Sequence, residues 1–314
     1  MTNGPLVSVI MPLYNKRPYV KRAIESIRQQ TFTDWELIIV DDGSTDGSSD
    51  EIPQNDSKIR LFHQKNKGPG AARNRGIKMG SGDFVTFIDA DNYYYPKKLE
   101  IEMDLLWKKK NADWMISVCE YDKDNQIQSK YVKDTNGNEI KAQPLVLVNA
   151  INEIQLQGLP IEGLCIKKIL LDRLRGFNEN MLCFENIELV VRCALMSPKA
   201  VIYPQPLYHI IDVPDSAFKI SSNRIEGMRQ KGESYYNLFK DYPEYSNYLS
   251  SISLSSLYSY IASLILTGKS AEARKYLNNK FPYTRDKRWL KMWVGSWLPK
   301  WLLQRLVSTG ESLE

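Results

Sequence analysis

Between residues 6 and 91 the chain alternates short apolar runs with stretches whose apolar positions recur at helical spacing. Residues 6–11, Leu-Val-Ser-Val-Ile-Met, read as a strand that Pro12 is expected to end. Val20, Ala23, Ile24 and Ile27 then share one helical face. A second strand is predicted over 36–40, followed by a loop of turn formers at 41–47 and a short helix. A strand at 59–63, a Gly-Pro-Gly turn at 68–70, a helix over 71–79 and a strand over 83–88 continue the series. Strands alternating with helices imply right-handed crossovers and a mostly parallel sheet with helices on both faces. In such sheets ligands sit beyond the carboxyl ends of the strands, which is where residues 12–15, 41–42 and 89–91 fall.

Further along the pattern loosens. Residues 113–120 read as a strand, 122–125 and 134–138 as turns between short strands, and 160–166 as another strand. From about residue 216 helical spacing dominates, with Leu238, Tyr242, Leu249, Ile252, Leu257 and Ile261 supplying apolar faces and Pro243 and Gly268 as punctuation. Trp289, Trp293, Trp297 and Trp301 follow at four-residue steps among Arg285, Lys287, Arg288, Lys291, Lys300 and Arg305, with Pro299 expected to kink the helix. Such a segment suits a membrane interface, and equally a helix packing on the chain's own core or on a second subunit. No stretch reads as a spanning helix.

The chemistry concentrates at Asp89-Ala90-Asp91. Side chains at i and i+2 of an extended chain point the same way, so both carboxylates can face one cation. Mg²⁺ and Mn²⁺ typically take one or two carboxylates and complete their shell with substrate phosphates. The plainer reading is a helix N-cap with a neighbouring acid.

The surrounding motifs favour the first reading. Residues 8–15 (Ser-Val-Ile-Met-Pro-Leu-Tyr-Asn), 30–46 with Asp41-Asp42-Gly43-Ser44, 70–76 (Gly-Ala-Ala-Arg-Asn-Arg-Gly) and the Asp-x-Asp resemble the family 2 glycosyltransferases with a GT-A fold. The likeness continues more weakly through 176–179 and 185–189. It implies an α/β, Rossmann-like GT-A fold and fades after about residue 215, so the C-terminal helical region rests on spacing alone. It also implies inverting transfer of a hexosyl or N-acetylhexosaminyl group, from a nucleoside diphosphate sugar, foremost a UDP-sugar, to a glycan or lipid-linked acceptor hydroxyl. The setting would be polysaccharide or glycoconjugate biosynthesis. Pro12, Tyr14 and Asn15 would line the nucleotide pocket, and Asp42 would accept from the uracil imide. Asn66 and Arg73 would contact the nucleotide or its phosphates. Asp89 would hold the ribose and assist the metal, Ala90 would lie between, and Asp91 would bind Mn²⁺ or Mg²⁺ directly.

Two positions depart from the family pattern. The usual base is the Asp of a Glu-Asp pair opening a helix, and here the pair reads Glu185-Asn186. An amide cannot take a proton at neutral pH. Three readings stay open: Glu185 as base, Glu188 as base, or Asn186 as the mark of a donor-binding, catalytically impaired assembly partner. Glu185, as the nearest carboxylate, is preferred, although acids in a first helical turn also serve the helix dipole alone. The second departure lies near 206–213, where the family often has a distal histidine or basic residue. His209 is the nearest candidate, and a lone histidine is more often structural, so it is left out of the metal site. Glu162 is read as a loop acid facing water or one that accepts a hydrogen bond from a sugar hydroxyl.

Global properties agree. The chain has 314 residues, a net charge of +5 and 4 cysteines, at 119, 165, 183 and 193, without metal-ligand spacing. Reduced thiols and a cytoplasmic setting are expected, peripheral to the inner face of the membrane if 285–305 binds lipid. The modest charge argues against nucleic acid, and a homo-oligomer stays open. No Gly-x-Gly-x-x-Gly follows the first strand, which disfavours a dinucleotide oxidoreductase. The expected division is a nucleotide-sugar half at 1–105, an acceptor half at 106–215 and a helical region at 216–314.

Overall fold

A computed structural model describes residues 6–108, 112–123, 126–141, 144–147, 149–156, 159–213, 221–279 and 296. The Trp-rich segment expected at 285–305 lies outside the described residues, Ser296 apart. The chain divides into two compact units, residues 1–181 with 185–216, and residues 182–184 with 217–314.

The first unit runs β1 (Val7–Leu13), α1 (Arg17–Arg28), β2 (Trp35–Asp41), β3 (Ile59–His63), α2 (Pro69–Met79), β4 (Phe84–Phe87), β5 (Tyr93–Tyr94) and α3 (Lys98–Lys108). It continues through β6 (Trp114–Lys123), β7 (Gln126–Lys130), β8 (Leu145–Leu147), α4 (Ala150–Glu153), β9 (Leu164–Lys167), α5 (Lys168–Leu174), α6 (Glu185–Met196) and β10 (Ala200–Ile210). The strands form one sheet in the order β3-β2-β1-β4-β9-β6-β10-β5, with β7 on β6 and β8 on β10. The first four are parallel, as the alternation of strands and helices requires. β9 enters antiparallel between β4 and β6, and β10 runs parallel to β6.

The alternation of β1 sorts the helices between the two faces. Val7, Val9, Met11 and Leu13 join a buried cluster with Ile24 and Ile27 of α1 and Leu99 and Met103 of α3. Ile10 faces the other way, against α2, so closely that a Cβ on Gly76 would meet its Cγ2 at 2.4 Å.

Pro12 does not end β1; it pairs with Val40 inside the strand. Ile10 O accepts from Ile88 N, so the even positions of β1 face β4, whose ladder stops at Ile10 and Phe87. The missing N–H of Pro12 therefore falls beyond the end of β4, where no partner strand needs it. The Gly-Pro-Gly turn is likewise the start of α2, with Gly68 at φ 89° and Pro69 in the first turn. The strand expected over 160–166 is shortened, because Ile161–Gly163 form a 3₁₀ turn. Gly163 passes under Ser117, where a Cβ would meet its carbonyl oxygen at 2.5 Å.

The second unit holds α7 (Ser221–Asp241), α8 (Ser246–Leu266) and α9 (Ser270–Asn279). Leu254, Leu257, Ile261, Leu264, Ala273 and Leu277 make its core. Gly232 lets α7 and α8 approach, since a Cβ there would meet Leu257 Cγ at 2.6 Å. Contrary to the sequence expectation, one described segment, Pro243–Leu266, has the length and mean hydropathy, 1.4, of a spanning helix, although half of its most apolar stretch is buried within the protein. Its serines do not break the helix because Ser256, Ser259 and Ser263 each donate to the carbonyl four residues back.

Candidate functional site

The carboxyl ends of β1, β2 and β4 open on the same edge of the sheet, and the loops that leave them are laced together by side-chain oxygens. Asn15, at φ 50°, accepts from Thr45 N at 2.8 Å, while its own N donates to Ser44 Oγ at 3.0 Å. Lys16 N donates to Ser48 Oγ, and Arg17 N to Asp46 Oδ2. This lacing leaves Pro12 half-buried and Tyr14 47% exposed, so Tyr14 presents an aromatic face at the site's rim and is not core.

Asp42 is buried beneath that rim. Its carboxylate accepts from Gln64 Nε2 at 2.8 Å, Lys67 N at 2.9 Å and Gly68 N at 2.8 Å. A carboxylate has about four acceptor positions, so one remains for a ligand. Asn66, exposed on the same loop, accepts from Gly68 N at 3.3 Å.

Arg73, expected to contact the nucleotide or its phosphates, is 4% exposed and bridges two acids. Nη2 donates to Asp89 Oδ1 and Nη1 to Glu185 Oε1, both at 2.7 Å. Burial works against its charge, and the two carboxylates outweigh burial, holding the guanidinium protonated. Reaching a phosphate would mean abandoning two charge-assisted bonds in a nearly dry setting. Arg73 therefore fixes the two acids; Phe177 backs it, with the guanidinium carbon 5.4 Å from the ring centroid.

Asp89 remains 37% exposed on the open side of that bridge, whereas the Asp91 carboxylate is 13% exposed and pairs with Lys16 Nζ at 2.8 Å. Ala90 between them is buried. Burial and the neighbouring charge of Asp89 push the Asp91 carboxyl above its usual range. A buried acid whose charge is disfavoured beside a second acid is relieved by a shared cation, so this donor set fits Mg²⁺ or Mn²⁺ completed by diphosphate oxygens. Among the described residues no cluster of three His, Cys, Asp or Glu side chains converges as a self-sufficient metal cage.

Behind the acids lies a buried tie. Asn92 Nδ2 donates to Glu162 Oε1, and Asn92 Oδ1 accepts from Ile211 N at 3.0 Å, joining the Asp-x-Asp turn to the end of β10. Glu162 faces neither water nor an open acceptor cleft. It is 2% exposed, and burial with the charge of Asp89 pushes its carboxyl up to about 8. His209 is structural, stacked on Tyr93 with centroids 5.0 Å apart and bonded through Nε2 to Asp122 at 3.2 Å.

Of the two base candidates and Asn186, only Glu185 is joined through Arg73 to the Asp-x-Asp. Asn186 Nδ2 points to Leu159 O at 3.4 Å. Glu188 is a correction: both its oxygens accept from Arg192, which in turn donates to Leu174 O and Gly176 O and so ties α6 to the end of α5. That carboxylate is consumed by packing. Asn74 holds the same region from α2, bonding Phe177 N, Phe177 O and Glu179. The weak motif at 176–179 is thus the docking point that delivers Glu185 to Arg73.

Lys16, Asn92 and Asn74 were missed from sequence. Lys16 follows Asn15 directly and carried a signal, a cation beside a suspected anion site. Asn74 and Asn92 carried none, since their partners lie 103 and 70 residues away.

The family described as glycosyl transferase family 2 matches residues 8–150. An uncharacterised glycosyltransferase of Rickettsia felis is 40% identical over 132 residues, covering 41% of this chain and 21% of that protein. The chain thus spans about a fifth of that relative's length. Staphylococcus aureus TarS residues 1–349, solved with UDP-GlcNAc, superposes with a TM-score of 0.64 at 17% identity over 98% of this chain and 93% of that one. The mannosyltransferase PcManGT of Pyrobaculum calidifontis, solved with GDP-Man and Mn²⁺, gives 0.57 at 16% identity over 99% and 89%. At these identities the two structures speak for the shared fold.

Proposed function

We propose that this chain, whose residues 8–150 match glycosyl transferase family 2 and whose fold is of the GT-A type, transfers a sugar from a nucleoside diphosphate sugar to an acceptor hydroxyl with inversion. The observation that carries the reading is the meeting of Asp89, Asp91, Arg73, Glu185 and Lys16 beyond the carboxyl ends of β1 and β4. Uridine is the favoured base, supported by the spare acceptor position on buried Asp42 and by the UDP-GlcNAc complex of the TarS neighbour. Asp89 and Asp91 would hold Mn²⁺ or Mg²⁺, which when bound neutralises charge building on the departing diphosphate.

The chain's own residues do the remaining work. Tyr14 and Asp42 orient the nucleoside, Arg73 fixes Asp89, and Glu185 takes the acceptor's proton as the hydroxyl oxygen attacks from the face opposite the diphosphate. Arg73 holds Glu185 in place through the 2.7 Å bond to its Oε1. The acceptor is proposed to be a glycan or lipid-linked glycan. A second reading draws on the same bridge: with Asn186 at the family's base position and Glu185 held by Arg73, the chain binds donor without turnover.

Release of UDP from UDP-sugars in the presence of glycan acceptors tests the two. If the first reading holds, Glu185→Gln abolishes release while donor binding persists. Turnover indifferent to Glu185→Gln removes that residue as base, and turnover that appears only in Asn186→Asp favours the second reading.

A further inference from the structure

Two cations stand beside the Asp-x-Asp, and they are built differently. Arg73 is a fixed fork, 4% exposed, with a carboxylate on each arm. Lys16 is a point charge on a four-carbon stem, 17% exposed, paired with Asp91 at 2.8 Å. Its backbone is anchored by the bond from Lys16 N to Ser48 Oγ, so the root of the side chain is placed and a move of its ammonium needs only side-chain rotation. Asp91 is also the carboxylate assigned above to the divalent ion, whose charge would repel an ammonium paired with that same group.

We propose that Lys16 is the internal counter-cation of Asp91: it neutralises that carboxylate in the free protein, yields it to the divalent ion on donor binding, and turns its ammonium to the donor's diphosphate. The proposal rests on the donor reading above and adds a residue and an order of events to it. An ammonium leaving one partly buried anion needs another within reach, and the diphosphate is the anion that arrives with the metal. Asn15, the preceding residue, belongs to the loop that borders the nucleotide pocket, so the swing is a rotation of one side chain. Arg17, the next residue, pairs instead with Glu51 at 3.1 Å and supplies a control cation on the same loop.

The test measures Mn²⁺ uptake without nucleotide, by the electron paramagnetic resonance signal of free Mn²⁺, and UDP binding at saturating Mn²⁺, by calorimetry. Lys16→Met is expected to bind Mn²⁺ about fivefold more tightly and UDP about fivefold more weakly, the scale of one modest ion pair in each direction. Arg17→Met is expected to change neither. The proposal is overturned if Lys16→Met and wild type take up Mn²⁺ alike, including no uptake by either, or if Arg17→Met reproduces both shifts. Wild-type protein that binds Mn²⁺ but not UDP overturns the donor reading itself, and is told apart by that missing nucleotide signal.

Discussion

Arg73 Nη1 and Glu185 Oε1 lie 2.7 Å apart although 112 residues separate them in the chain. The pair joins α2 to the first turn of α6, and with Asp89 it makes a three-membered charge network whose centre is buried. Removing the centre leaves two acids facing each other without compensation. Arg73→Met is expected to cost about 3 kcal/mol of stability, the scale for breaking a buried pair from one side. Urea denaturation at neutral pH measures it; a midpoint within error of wild type would show that the bridge carries little.

Glu185 and Glu188 sit one helical turn apart and should separate cleanly in function. Glu188→Gln weakens the clamp by which Arg192 holds Leu174 O and Gly176 O, so it should lower stability by about 1–3 kcal/mol and leave kcat of the folded enzyme near wild type. Glu185→Gln should do the reverse, losing turnover by more than about a hundredfold. Denaturation and steady-state kinetics on both variants decide it, and a kcat loss confined to Glu188→Gln would reverse the assignment.

At the opposite end of the sheet, Glu36 gives a pH signature. Burial alone would raise its carboxyl, but hydrogen bonds from Ser81 N, Ser81 Oγ, Ser8 Oγ and Arg60 outweigh burial and hold it below the ordinary value of 4.5. A depressed carboxyl contributes stability that is present above its unfolded value and lost as pH falls through the folded one. Stability should therefore drop on acidification below about pH 4.5, and Glu36→Gln should flatten that part of the profile. Thermal midpoints from pH 3 to 7, as about the range needed, compare the two proteins; parallel curves would remove Glu36 as a source.

Gly76 has no room for a methyl group, given the 2.4 Å approach to Ile10 Cγ2. Gly76→Ala should destabilise by about 1–3 kcal/mol through overpacking, and Ile10→Ala in the same chain should change that penalty measurably. A double-mutant cycle reads the coupling; strict additivity would place the strain elsewhere.

What the sequence disclosed follows the range of each signal. The Asp89-x-Asp91 pair stood out because its signal is local, acids set against turn formers at a strand's end, although Ala90 and Asp91 lie in a turn closed by Asn92 N on Asp89 O and not in the extended chain that a two-residue period assumes. Pro12 misled because its tolerance depends on where β4 stops, a fact of the neighbouring strand. Arg73 was placed on the right helix, but its two carboxylate partners were not legible, since they come from the turn after β4 and from α6, far apart in sequence. Glu162 looked like a surface acid because nothing in 160–166 announces the pass beneath Ser117 that turns it inward. The base position was ambiguous in sequence, and the structure narrows it only because Arg192 claims Glu188.

The central claim is that Asp91 joins the protein to a nucleotide's diphosphate through a divalent ion. Isothermal titration of the whole chain with UDP, with Mn²⁺ and then with excess chelator, tests it most directly. The account predicts UDP binding that weakens by at least about tenfold on chelation and to a similar degree in Asp91→Asn with Mn²⁺ present. Binding of equal strength in all three conditions, or no binding to wild type with Mn²⁺, would contradict it.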